Sequence, residues 1–100
     1  LVVKGGKFGE RWAEICDAYN VNTIAIDVEW GKAVSPSHIK DLLKNNTDVK
    51  AVFTTHCETS TGTATDIKSI ADAVSKTQAV LVVDAVSSLG AMELQKDNWG

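Results

Sequence analysis

The sequence predicts an α/β fold, three layers deep, with a mostly parallel sheet and crossover helices. Three observations carry this. Strand-like and helix-like segments alternate three times along the chain, which is the pattern of a parallel sheet covered on both faces. The run Ala79-Val80-Leu81-Val82-Val83 is continuously apolar and has no helical period, as in a strand buried on both sides. The intervening segments repeat apolar residues every three to four positions and are long enough to return the chain to the start of a parallel neighbour.

Taken in order, Leu1-Val2-Val3-Lys4 reads as part of a strand, and Gly5-Gly6 breaks it. Phe8, Trp12, Ile15, Cys16 and Tyr19 then share helical spacing, so a helix is expected over about Lys7 to Tyr19. Thr23 to Val28 is β-branched and mostly apolar and is expected as a buried strand, followed by a loop from Glu29 to Val34 around Gly31. Ser35-Pro36 is a helix start, serine at the N-cap and proline at the first helical position, with Ile39, Leu42 and Leu43 forming the buried face up to Asn45-Asn46. A strand over Val49 to Thr55 follows. A third helix is expected from about Thr65 to Lys76, with Asp66 in its first turn and Ile67, Ile70, Ala71 and Val74 on one side. Beyond Asp84 the pattern weakens, and Met92 to Leu94 reads as a short extra strand.

Composition narrows the class. One hundred residues with 44% hydrophobic and 23% charged side chains make at most one ordinary globular domain. A net charge of -3 with scattered lysines offers no basic stripe, so neither nucleic acid nor an anionic membrane surface is expected as a partner. No apolar run approaches the ~20 residues of a membrane span. Cys16 and Cys57 form neither a disulfide framework nor a zinc spacing, and the expectation is a reducing, cytoplasmic compartment with no metal. The strand-like start and uncapped Trp99-Gly100 suggest that residues 1–100 are one incomplete domain, a piece of a longer protein.

Two polar clusters hold the candidate chemistry. Glu58-Thr59-Ser60-Thr61-Gly62 follows the strand ending at Thr55, and Asp84-Ala85-Val86-Ser87-Ser88 follows the strand ending at Val83. On neighbouring parallel strands both would emerge at the carboxyl edge, where open α/β sheets bind ligands. An acid on one strand end beside hydroxyls on the next suits an aromatic cofactor with a cationic ring nitrogen and a phenolate oxygen, a description that pyridoxal phosphate meets. A carboxylate at Asp84 would raise the pKa of that nitrogen, and the protonated ring would draw electrons from the substrate α-carbon. Two plainer readings stay open: Asp84 as a turn residue accepting backbone N–H bonds, and the hydroxyls as a loop capping a helix. His56-Cys57 is not expected to work as base and nucleophile, because neighbours on an extended segment face opposite ways. Gly5-Gly6-Lys7-Phe8-Gly9 lacks the spacing of a nucleotide-binding glycine loop.

Thr55-His56-Cys57-Glu58-Thr59-Ser60-Thr61-Gly62 and Val83-Asp84-Ala85-Val86-Ser87-Ser88-Leu89-Gly90 together resemble the class V aminotransferases of pyridoxal-phosphate fold type I, in particular the alanine–glyoxylate and serine–pyruvate or serine–glyoxylate branch. Gly6-Lys7-Phe8-Gly9-Glu10-Arg11-Trp12 and Val28-Glu29-Trp30-Gly31 extend the resemblance over essentially the whole chain. It implies that residues 1–100 belong to the cofactor-binding large domain of a homodimeric aminotransferase. Asp84 would pair with the pyridine nitrogen, Thr59 would hydrogen-bond the ring oxygen with Ser60 as the substitute one position on, and Val86 would pack on a ring face. The implied reaction moves an amino group from alanine or serine to glyoxylate or pyruvate. The family's phosphate-binding glycine turn, its stacking aromatic residue and its Schiff-base lysine fall outside these residues, and Lys96 reads as a solvated side chain. The piece alone is therefore expected to be inactive. The competing reading is a Rossmann-like module that holds a nucleotide or a protein partner at the same edge without catalysis.

Overall fold

The computed structural model describes residues 1–100. Its main sheet is fully parallel and has four strands: β1 (Val2–Lys4), β2 (Ala25–Asp27), β3 (Ala51–Thr55) and β6 (Val80–Asp84), in the order β2-β1-β3-β6. Helices α1 (Lys7–Ala18), α2 (Pro36–Asn45) and α3 (Ile67–Val74) connect them, and a two-stranded antiparallel hairpin, β4 (Cys57–Glu58) and β5 (Thr63–Ala64), stands between β3 and α3. A single turn, α4 (Lys96–Trp99), ends the chain.

The layers follow from side-chain alternation along the strands. Leu1, Val3, Ile26 and Val52 point to one face and pack with Ile39 and Leu43 of α2 and Ile70 and Val74 of α3. Phe53 of β3 points to the other and meets Trp12 of α1, ring centroids 5.0 Å apart. Burial of this kind contributes about 25 cal/mol for each Å² of apolar surface, so α2 and α3 are held mainly by four aliphatic side chains. Proline at the first helical position of α2 is as expected, but the Ser35 hydroxyl meets the Ser37 hydroxyl at 2.7 Å and does not cap the helix.

Several expectations are corrected. Phe8, Ile15 and Tyr19 are exposed, and the face of α1 turned to the sheet is Gly9, Trp12 and Cys16. Gly9 sits so close to β1 that a Cβ there would lie 2.6 Å from the Val3 carbonyl oxygen, and that contact orients the helix. Neither outer strand is buried on both faces: β2, expected as a buried strand, is one edge of the sheet with Ala25 and Asp27 exposed, and the run 79–83 forms the other edge, β6, where Val80 is 60% exposed. The apolar side chains of β6 have only β3 on one side and α3 and α4 on one face. Asp66 is the N-cap of α3 rather than a first-turn residue, accepting from the Ser69 N–H at 3.0 Å and the Ser69 hydroxyl at 2.7 Å. These bonds hold its carboxyl below the usual range. Met92 to Leu94 form no strand, only an isolated bridge between Leu89 and Met92. No helix is long and apolar enough to cross a membrane.

Candidate functional site

In the parallel ladder Thr55 of β3 is the register partner of Asp84 of β6, so the chain leaves both strands at the same carboxyl rim. From there the segments diverge and are tied again. The His56 N–H donates to the Asp84 carbonyl at 2.9 Å, and the Ser87 hydroxyl donates to the Cys57 carbonyl at 2.9 Å. The two polar clusters therefore lie side by side at one edge.

The hairpin was not foreseen as such, and its geometry separates residues that look alike in sequence. Glu58 is 4% exposed and turns inward to the start of α1, accepting from the Gly9 N–H at 2.9 Å, the Phe8 N–H at 3.2 Å and the Ser60 hydroxyl at 2.7 Å. Ser60 Oγ in turn accepts from the Lys7 N–H at 2.9 Å. The free N–H groups of the first helical turn are thus satisfied from another part of the chain, and the carboxylate lies where the helix dipole favours negative charge. Burial pushes the Glu58 carboxyl up, but the Ser60 hydroxyl and the N–H donors of Gly9, Phe8 and Ser60 outweigh it and leave it below the ordinary value. Gly6 makes the junction fit, since a Cβ there would fall 2.4 Å from Glu58 Cγ. At the hairpin turn the Thr61 and Gly62 N–H groups donate to the Glu58 carbonyl, and Gly62 takes φ 69°. That glycine serves the turn, with open space where its side chain would be.

Thr59 differs. It is exposed at the hairpin tip, and its hydroxyl has no partner within the chain. Asp84 is half-buried; its Oδ1 accepts the Val86 N–H at 3.0 Å and its Oδ2 makes no bond. Val86, next in the turn, is 86% exposed, the most exposed large apolar side chain of the molecule. Below the rim, Thr54 and Thr55 Oγ1 are buried without hydrogen-bond partners.

His56 and Cys57 do face apart. The His56 ring is buried against Ser88, with Nδ1 3.0 Å from the Ser88 hydroxyl, and burial holds its pKa below the ordinary imidazole value. Cys57 is half-buried. Lys96 is exposed and paired only with Asp97 at 3.1 Å. No group of three or more His, Cys, Asp or Glu side chains is arranged to hold a metal ion.

Comparison with known proteins decides the family: the model of Aminotransferase class-V matches residues 9–100. The chain belongs to that family. Among the class V relatives, the serine–glyoxylate aminotransferase of Hyphomicrobium methylovorum is 35% identical over 100% of this chain and 26% of its own length. A protein of Synechococcus sp. strain PCC 6716 named as the small subunit of a soluble hydrogenase is 45% identical over 95% of the chain and 26% of its own. The crystal structure of ureidoglycine–glyoxylate aminotransferase from Bacillus subtilis superimposes with a TM-score of 0.91 at 34% identity, covering 98% of this chain and 25% of that one. The chain thus spans about a quarter of the length of these class V relatives.

Pyridoxal phosphate is the cofactor of the class V family, and the rim suits it. An uncommitted carboxylate oxygen on Asp84, a hydroxyl without a partner on Thr59 and a bare apolar side chain on Val86 are the acceptor, donor and packing groups that a flat heterocycle with a protonated ring nitrogen and a phenolate oxygen requires.

Proposed function

We propose that residues 1–100 are part of the cofactor-binding large domain of a cytoplasmic, homodimeric pyridoxal-phosphate aminotransferase, which moves an amino group from a small amino acid such as alanine or serine to glyoxylate or pyruvate. The observation that carries this reading is the pairing of Thr55 with Asp84 on adjacent parallel strands, with unsatisfied polar groups on both sides of the rim. In this reading Asp84 Oδ2 would accept a hydrogen bond from the protonated ring nitrogen, and the Val86 N–H bond to Oδ1 fixes the carboxylate plane. Thr59, not Ser60, donates to the ring oxygen, because the Ser60 hydroxyl is already engaged with Glu58 and the Lys7 N–H. Val86 covers one ring face and keeps water from it. Bound pyridoxal phosphate supplies an electron sink for the pair released when the substrate α-carbon loses its proton. The cofactor-bearing lysine and the groups that grip the phosphate and the substrate carboxylate come from other parts of the protein, so residues 1–100 alone bind the cofactor weakly and transfer nothing.

The test is to supply the full-length protein with pyridoxal phosphate and either alanine or serine plus glyoxylate, or serine plus pyruvate, then follow formation of glycine in the first case and of alanine in the second. Stoichiometric cofactor binding with amino transfer is expected. A full-length protein that binds no pyridoxal phosphate, or that binds it and reduces a dye with hydrogen while transferring no amino group, contradicts the proposal.

A further inference from the structure

Between the two halves of the rim lies a buried polar pair that the functional reading does not use. His56 is 4% exposed and Ser88 0% exposed, and their Nδ1 and Oγ atoms are 3.0 Å apart. Ser88 Oγ also donates to the Ala85 carbonyl at 3.3 Å, and the Ser88 N–H donates to the same carbonyl at 3.0 Å. The Leu89 N–H is a third donor to it at 2.8 Å. The Ala85 carbonyl thus anchors the turn whose other end is the Val86 N–H bond to Asp84 Oδ1. With the Ser88 proton directed at Ala85, the imidazole donates from Nδ1. His56 is joined to its surroundings by backbone as well: its N–H bonds the Asp84 carbonyl, and its own carbonyl accepts from the Thr65 N–H at 2.9 Å at the foot of the hairpin.

We infer that His56 is a positioning residue, which through Ser88 fixes the 84–88 turn and so sets the direction of the Asp84 carboxylate and of Val86. The inference rests on the reading of Asp84 as the cofactor's partner, but its first consequence needs no cofactor. A buried polar network with every member bonded is rigid, whereas removal of one member leaves the others unsatisfied and the segment free to move. An exposed surface turn with Val86 and Leu89 largely bare has little apolar packing to hold it otherwise. Asparagine can place a donor near the Nδ1 position and keep the link to Ser88. Leucine fills the space without it.

The test compares the full-length wild type with His56→Leu, His56→Asn and Ser88→Ala. In the cofactor-free protein, exchange of the Val86 and Ser88 amides should speed up about tenfold or more in His56→Leu and Ser88→Ala, with the β3 amides of Val52 and Phe53 unchanged, and His56→Asn should restore most of the protection. In the loaded protein the same two variants should lose visible circular dichroism of the bound cofactor and release it faster on gel filtration, again with recovery in His56→Asn. Unchanged Val86 exchange in folded His56→Leu and Ser88→Ala overturns the inference, as does a His56→Asn variant no better than His56→Leu. If His56→Leu does not fold, the comparison of Ser88→Ala with His56→Asn decides it by the same amides. Asp84→Ala separates the two claims: cofactor retention unaffected by that change defeats the functional reading while the amide result still stands or falls alone.

Discussion

Thr59 and Ser60 are adjacent hydroxyl residues in one short hairpin, and they belong to two regions with opposite character. On the side of Ser60 every group is committed: Glu58 and Ser60 together satisfy the Lys7, Phe8 and Gly9 N–H groups at the head of α1. On the side of Thr59 the groups are open: a hydroxyl without a partner, a carboxylate oxygen of Asp84 without a donor and an uncovered Val86. Saturated polar groups build a fold, and unsaturated ones at a strand-end rim are what a ligand can use. Hydroxyls of one loop therefore have to be sorted by their partners before any of them is assigned a role.

The sharpest way to break this division is to change one residue on each side and read both activity and stability. Asp84→Ala in the full-length protein should lower amino transfer by about 100-fold or more, the scale on which a single preorganised electrostatic contact acts, while the melting temperature moves little. Loss of folding with unchanged activity per folded molecule would reverse the assignment. Glu58→Ala should do the opposite, destabilising by about 2–3 kcal/mol in denaturant titration because it leaves a helix start without its acceptor. A stable Glu58→Ala protein with impaired cofactor binding would place Glu58 on the functional side.

A finer cut lies between the two hydroxyls. Ser60→Ala should cost about 1 kcal/mol of stability, as loss of a helix cap does, and leave cofactor affinity nearly intact. Thr59→Val should leave stability intact and weaken cofactor binding about tenfold, the value of one hydrogen bond to a charged or polar ligand atom. Exchange of these two outcomes would show that the register of the hydroxyls is displaced by one.

Acid should probe the committed side in two stages. His56 has a folded pKa below its ordinary 6.5, so the unfolded chain binds its proton first. The His56 contribution to stability is complete above about pH 6.5 and is lost as pH drops from there through the lowered folded value. Glu58, also lowered from 4.5, adds a second loss that begins below about pH 4.5 and runs through its own folded value. Melting temperatures across pH for the wild type and His56→Asn check this, with the first stage absent in the variant. The smallest effect is expected from Thr54→Val, which replaces a buried hydroxyl that has no partner by an apolar group of the same shape. It should be neutral or stabilise by up to about 1 kcal/mol.

The strands and helices of the core were legible because their patterns are local: β-branched runs for β1 to β3, and three-to-four spacing for α2 and α3. Burial of the two outer strands was not legible, since an apolar run does not reveal whether it ends a sheet, and β2 and β6 both do. The orientation of α1 also escaped, because the small residue that lets it approach, Gly9, carries no apolar signal. At the site, the rim shared by the ends of β3 and β6, where Thr55 pairs with Asp84, followed from strand order. The turning of Glu58 and Ser60 towards α1 did not, because it depends on contacts about fifty residues apart in the chain. The lone signal for it was Gly6, which the sequence presents as a break and the structure uses as the space for Glu58 Cγ. The pairing of His56 with Ser88 was likewise hidden by its long separation.

The most direct measurement is the nitrogen-15 chemical shift of pyridoxal phosphate labelled at the ring nitrogen and bound to the full-length protein, taken for the wild type and for Asp84→Asn. A protonated nitrogen is expected in the wild type and a shift to the neutral position in the variant. Identical shifts in the two proteins would show that Asp84 does not face the ring.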